Sequence, residues 1–326
     1  MRAWGFYRPA MRPVRALAIY LIAVFVGGGL LAPWLYWAAT GTGVLDGNPA
    51  PFHRFVNRSL LLVSLSGLWP LAYYCRLDSW RAVGVKRERG WMKETGKGFL
   101  LGFASLGIVA VGAVLSGNRV LTFDAEFSKI ASALGTAAGT AVIVSVLEEL
   151  LFRGVVFGAL RQVYHWSIAL LASSVLYSIV HFFQKTALTG DVSWSSGMML
   201  LPRMMSGFVD PFFVVPGFLV LLLAGGVLAA LYQRRGTLFF SIGAHAGWIF
   251  WLKSYGVFTR SGPAPDYALW GTSKLIDGWM AAVVLLLTLA CVVCWRAVPH
   301  ETGAATATLG NIEAARRVHR REGVVR

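Results

Sequence analysis

The chain has 326 residues, of which 56% are hydrophobic and only 14% are charged, and its mean hydropathy is +0.62. This composition is typical of a polytopic membrane protein and excludes a large water-soluble core. The formal net charge of +15 would fit a nucleic-acid-binding protein, but the basic residues lie mostly in the connections between apolar segments. We therefore expect a lipid bilayer, and no nucleic acid, as a partner.

Eight apolar segments are candidates to cross a bilayer as helices. In chain order they are residues 16–39, 59–75, 98–117, 130–160, 166–183, 212–232, 237–252 and 278–295. No soluble domain fits between them, and no internal repeat is visible. The predicted fold is therefore all-α: a polytopic membrane protein with about eight transmembrane helices in one domain, residues 1–298. Residues 299–326 are polar and basic and form a predicted cytoplasmic tail.

The two longest connections are residues 76–97 and 184–211. The first is basic and is expected to lie on the membrane surface. The second is rich in Met and Gly and is either an interfacial flap over a site or an ordinary connection. In the eight-helix arrangement twenty Lys and Arg fall on one side and nine on the other. This bias predicts a multi-pass protein of the cell (inner) membrane with both termini in the cytoplasm.

The fourth segment carries three ionisable residues, Glu148, Glu149 and Arg153, within its apolar run. Each costs ~2.5–3.5 kcal/mol to insert at the membrane centre, so all three need a compensating role. Glu149 and Arg153 are four residues apart and are predicted to pair along one helix face. Glu148 is rotated by ~100° and lacks that partner. The pattern indicates a structural ion pair beside a free carboxylate, and the alternative is a polar cluster that only holds helices together.

Two histidines also lie inside apolar segments, His181 near the end of the fifth and His245 in the middle of the seventh. Taken singly, each is typical of a hydrogen-bonded packing residue. At ~1.5 Å per residue, Glu148, His181 and His245 all lie ~15–22 Å from the cytoplasmic ends of their helices, so we expect them at one level. Small residues that allow close helix approach flank these positions: Gly135 and Gly139 as a packing face, Ser173 and Ser174, and Gly243 and Gly247.

A carboxylate with two imidazoles suits general-base activation of water. The histidines would donate to an oxyanion or hold the water. The same three groups, Glu148, His181 and His245, would also be able to ligate zinc. The helical His-Glu-x-x-His signature of zinc proteases is absent from the sequence.

Three motifs, in this order, resemble those of the CAAX protease and bacteriocin-processing family of intramembrane proteases: Glu148-Glu149-x-x-x-Arg153, Tyr177-x-x-x-His181 and a later His245. The resemblance covers roughly residues 82–252. It implies that Glu148 is the water-activating base and that His181 and His245 complete the site. Glu149, Arg153 and Tyr177 are then supporting residues.

The sequence departs from that family's pattern at two positions. Tyr177 stands where the family often has Phe. Ile249 stands four residues after His245, where the family usually has Asn or Asp, so the seventh segment has no second polar group on the histidine's face. Because the missing side chain would help to complete a metal site, we expect no cofactor, with zinc as the alternative.

These observations predict an intramembrane endopeptidase with a Glu148-activated water. Its substrate would be a membrane-embedded or lipid-anchored protein of the prenylated or sorting-signal type. Two other classes stay open. A proton-coupled transporter would also keep Glu and His in the membrane, although the chain shows no inverted repeat. A non-catalytic scaffold or toxin-immunity protein of the same fold would explain Ile249.

Overall fold

The computed structural model describes residues 12–42, 51–182, 186–205 and 211–295, and most of this part of the chain is helical. The elements are α1 (Arg12–Gly41), α2 (Phe52–Tyr74), α3 (Trp91–Leu115), α4 (Phe127–Glu149), a π-helical turn (Leu150–Phe157), α5 (Gly158–Arg161), α6 (Trp166–His181), α7 (Ser196–Met204), α8 (Pro211–Arg235), α9 (Phe239–Phe258), α10 (Tyr267–Trp270) and α11 (Trp279–Cys294). Two short strands, β1 (Arg119–Leu121) and β2 (Thr259–Ser261), pair antiparallel beyond the ends of α3 and α9.

Each of the eight predicted segments coincides with one helix or helical run, which confirms the all-α fold. By length and composition, five runs could cross a membrane: α1, α2, α3, the run from α4 through α5, and α8. Helices α6 and α11 are apolar but shorter. The remaining segment is α9, which is buried along most of its length because it lies between α3, α4 and α8. The predicted tail, residues 299–326, and the N-terminal residues 1–11 lie outside the described residues.

Helices α3 and α9 approach each other so closely that glycine is required at the contact. A Cβ atom at Gly102 would overlap the carbonyl oxygen of Ala244. From the other side, a Cβ atom at Gly243 would overlap the carbonyl oxygen of Thr95, and one at Gly247 would lie 2.6 Å from that of Phe99. Gly243 and Gly247 therefore act as predicted. The contact fixes the position of α9 and of the histidine that it carries.

The predicted packing face at Gly135 and Gly139 is wrong. A Cβ atom at either glycine would have no neighbour within 4 Å among the described residues. The buried residues of α4 follow a different stripe at four-residue spacing: Ala137, Ala141, Ser145 and Glu149. The stripe faces α9 because Glu149 must be buried against a partner, and this rotation turns the two glycines outward.

Helices α1 and α2 pack as a pair, and α7 is docked on that pair. A Cβ atom at Gly197 of α7 would overlap the carbonyl oxygen of Gly29 of α1. Leu200 of α7 is fully buried in a cluster with Val56 of α2. The connection around α7 is thus packed into the fold, which favours an ordinary connection over a flap.

The close contact between α3 and α9 predicts a sharp difference between two glycine variants. Gly102→Ala places a methyl group against backbone, and such overpacking typically costs ~1–3 kcal/mol. Gly139→Ala meets open space, and the better helix propensity of alanine makes it neutral or slightly stabilising. Thermal unfolding of the two purified variants in one detergent will measure the difference. Equal midpoints would contradict the contact.

Candidate active site

The fourth segment does not continue as a regular α-helix past Glu149. Residues Leu150–Phe157 form a π-helical turn before α5 resumes the α-helical path. Short π-helical stretches are rare and often lie at functional sites. The sequence predicts one uninterrupted helix here, because apolar periodicity carries no signal for a π-turn. The turn follows directly after the two glutamates and contains Arg153, so it shapes the centre of the site.

The loop between α2 and α3 packs against the start of α9 and against the π-helical turn. The backbone N–H of Leu238 donates to the carbonyl oxygen of Gly84 over 3.0 Å. A Cβ atom at Gly154, inside the turn, would lie 3.0 Å from the carbonyl oxygen of Val83. Gly84 itself has φ +88°, a conformation that favours glycine. Part of this basic loop is therefore packed against the bundle.

The predicted ion pair is present and is fully enclosed. The Nη1 atom of Arg153 lies 3.0 Å from Oε1 of Glu149, with the side chains 2% and 0% exposed. The same Oε1 atom accepts a hydrogen bond from Nδ1 of His245 over 3.0 Å. A second guanidinium nitrogen of Arg153 donates to the carbonyl oxygen of Gly225 over 3.4 Å. Glu149 thus joins an arginine on its own helix to a histidine on α9, a link that spacing alone does not reveal.

Glu148 lies against both histidines. Its Oε2 atom is 3.5 Å from Nε2 of His181 and 3.7 Å from Nε2 of His245. The three helices therefore bring the predicted groups to one level. The side chains of Glu148 and His181 are 25% and 30% exposed, in contrast to the enclosed Glu149. The two adjacent carboxylates have different surroundings, as their rotation about the helix requires.

Tyr177 contacts most of the other polar residues of the site. Its carbonyl oxygen accepts a hydrogen bond from Nδ1 of His181 over 2.8 Å. Its hydroxyl oxygen lies 3.4 Å from Nε2 of His245. The guanidinium carbon of Arg153 lies 4.6 Å from the centre of the phenol ring, in cation–π contact. The ring of Phe152 also packs against the phenol ring of Tyr177 in a T-shaped contact, with 5.1 Å between the ring centres.

The exposed side of the site opens into an apolar cavity of about 270 Å³. Glu148 and His181 lie on one wall, which the π-helical turn and α6 complete. The opposite wall belongs to α1 and α2 and includes Tyr20, Asn57, Leu60 and Ser64. The sequence did not single out these residues, because the first two segments carry no motif. The only local signal is a few polar side chains in otherwise apolar helices.

The position of the missing Asn or Asp does not line this cavity. Ile249 is buried in a small apolar cluster with Ala141 of α4 and Ala246 of α9. The apolar side chain therefore suits its surroundings. Ile249 lies in the contact between α4 and α9, where the fold needs an apolar side chain.

The donor atoms of the site suit zinc in chemical type. One carboxylate oxygen, from Glu148, and two imidazole nitrogens, from His181 and His245, face one another, as in many catalytic zinc sites. In the described ranges, however, no three His, Cys, Asp or Glu side chains are spaced as a metal site.

The buried pair predicts that Glu149 supports the fold. Glu149→Ala leaves the Arg153 guanidinium without its carboxylate, and breaking a buried pair typically costs ~3–5 kcal/mol. The matched control is Glu126→Ala at the start of the same helix, where the pair with Lys129 is exposed on both sides and is expected to contribute little. The yield of monodisperse protein after extraction will compare the two. A normal yield of Glu149→Ala would show that the pair is dispensable.

Comparison with protein families gives one match. Residues 130–251 match the family described as type II CAAX prenyl endopeptidase Rce1-like. No curated protein and no solved structure matches the chain. The matched region contains every candidate site residue from Glu148 to His245, and it excludes α1 and α2. The resemblance of this integral membrane protein to the CAAX protease family is therefore confirmed over residues 130–251.

Proposed function

We propose that the protein is an intramembrane endopeptidase that cleaves a peptide bond near the end of a membrane-embedded or lipid-anchored protein. The observation that carries this proposal is the position of Glu148. Its carboxylate contacts an imidazole and also lines the apolar cavity, where a substrate would meet it. The match to the CAAX prenyl endopeptidase family supports the reaction class.

The reaction follows from the contacts of Glu148. Its carboxylate accepts a proton from a water molecule, and the water oxygen attacks the carbonyl carbon of the scissile peptide bond. An adjacent imidazole protonates the leaving amine as the carbon–nitrogen bond breaks, and hydrogen-bond donors of the site stabilise the oxyanion. The products are a new carboxyl terminus and a free amine. Glu149 and Arg153 are fully buried and keep the surrounding helices in place.

The cavity supports an apolar substrate group. Most of its surface is formed by apolar side chains such as Val24, Leu60 and Leu176. An apolar segment or a lipid anchor loses unfavourable contact with water or polar headgroups when it enters such a space. The cavity wall from α1 and α2 lies outside the family match.

A chemically minimal change separates the catalytic proposal from its rivals. Glu148→Gln keeps the shape of the side chain and removes the base, which typically costs ~10²–10⁴-fold in rate. The variant should express normally and fail to cleave an internally quenched farnesylated peptide with a CAAX end in lipid vesicles. Glu126→Gln, an exposed glutamate at the start of α4, is the control.

The outcomes are distinct. Full cleavage by Glu148→Gln would refute the assignment of the base. A transporter has no cleavage to lose, and a scaffold would keep its cellular effect in the variant. Comparing the termini of all membrane proteins in cells with the wild type or with Glu148→Gln would identify the substrate. A wild type that shortens neither the peptide nor any membrane protein would refute the protease itself.

The second expectation is that the enzyme works without zinc. If zinc were bound, Glu148, His181 and His245 would hold it, and it would polarise the carbonyl group and acidify the water. We predict that the purified protein contains no stoichiometric zinc and that a chelator leaves cleavage unchanged. Elemental analysis will measure this. About one zinc per chain, lost in His245→Ala, would reverse the expectation.

A further inference from the structure

The two histidines of the site have different surroundings, and one tyrosine contacts both. Tyr177 binds His181 through its carbonyl oxygen and approaches His245 through its hydroxyl group. His245 is 5% exposed, whereas His181 is 30% exposed and lines the cavity. The ring nitrogens of the two histidines therefore differ in what they can contact, although the sequence suggests one shared role.

At His245 both ring nitrogens have a partner inside the protein. The Nδ1 atom lies 3.0 Å from Oε1 of Glu149, a carboxylate held by Arg153. A carboxylate only accepts hydrogen bonds, so the proton of the neutral ring lies on Nδ1. The Nε2 atom then carries a lone pair. Two groups face it: the hydroxyl of Tyr177 at 3.4 Å and the carboxylate of Glu148 at 3.7 Å. Of these, the hydroxyl is the one that donates a proton to the lone pair.

At His181 one ring nitrogen is left for chemistry. The Nδ1 atom donates to the carbonyl oxygen of Tyr177. The Nε2 atom faces Glu148 on the cavity wall, and no hydroxyl group contacts it among the described residues. A proton can therefore pass between Glu148 and this nitrogen and reach a substrate in the cavity.

We propose that the hydroxyl of Tyr177 holds His245 as the neutral Nδ1–H tautomer, and that His245 is a positioning residue. It belongs to a buried chain of contacts, Arg153 to Glu149 to His245 to Tyr177. Proton exchange with the substrate is left to Glu148 and His181. The inference rests on the proposed protease function for its catalytic part.

This role is specific to two residues of this chain. Ile249 contributes no polar atom and packs against α4, so the polar contact at Nε2 comes from Tyr177 instead. A phenylalanine at 177 would keep the contact with Arg153 through its ring and would leave Nε2 of a buried imidazole without a donor.

Paired asparagine variants test the division of roles. The amide nitrogen of asparagine can take the place of Nδ1 and donate to Glu149, so His245→Asn keeps the positioning contact. We expect roughly a tenfold lower kcat for His245→Asn and for Tyr177→Phe, the equivalent of about one hydrogen bond, with KM nearly unchanged. His181→Asn should lose ~10²–10⁴-fold, as for a proton-transfer group. The probe is the quenched farnesylated peptide.

The result that would overturn the inference is a loss in His245→Asn as large as in His181→Asn, at equal amounts of folded protein. Unchanged cleavage in Tyr177→Phe would refute the role of the hydroxyl. Both comparisons require a wild-type protein that cleaves the probe.

A second measurement needs no substrate and no variant activity. Nitrogen-15 NMR of histidine-labelled protein in lipid vesicles shows which ring nitrogen carries the proton, and the His245 signals are those missing from His245→Asn. We expect a protonated Nδ1 and a hydrogen-bonded, unprotonated Nε2, whose shift moves in Tyr177→Phe. A protonated Nε2 in the wild type would overturn the tautomer. If the wild type cleaves nothing, the protease proposal fails, while this spectrum still decides the tautomer.

Discussion

The structure depends on enclosing the charge of Arg153 within a bundle of apolar helices. A guanidinium group without a counter-charge is very costly in that environment, so Glu149 must lie beside it. The same carboxylate oxygen that meets Arg153 also binds His245, which ties α4 to α9. Tyr177 covers the guanidinium from α6. One buried charge thus sets the relative rotation of three helices, and the partly exposed Glu148 takes its position as a consequence.

Close helix packing makes this arrangement rigid. Glycines on both α3 and α9 bring backbone against backbone, so α9 cannot rotate without a clash. His245 lies between Gly243 and Gly247 on that helix. The fixed orientation of α9 therefore holds its Nδ1 atom within hydrogen-bonding distance of Glu149. A fixed first partner leaves the remaining nitrogen to Tyr177. The close packing of α3 and α9 thus defines which partners the two ring nitrogens of His245 have.

The site joins a part that matches the CAAX protease family to a part that lies outside that match. The polar residues belong to the matched region, residues 130–251. The facing wall of the cavity comes from α1 and α2, which α7 holds in place by a contact between Gly197 and Gly29. Such a division places the groups proposed for the chemistry on one wall of the cavity and the residues of α1 and α2 on the opposite wall. Changes in α1 and α2 can then alter the cavity while the buried ion pair stays intact.

The sequence by itself determined the eight helical segments, the pairing of Glu149 with Arg153 and the common level of Glu148, His181 and His245, because hydropathy and helical spacing are local properties. Only the tertiary structure decided the π-helical turn, the outward direction of Gly135 and Gly139, and the contribution of α1 and α2 to the cavity. These features arise from contacts between residues distant in sequence. In a helix that is apolar on all sides, the sequence does not indicate which face is buried. The face is fixed when the partner helices enclose the charge of Arg153.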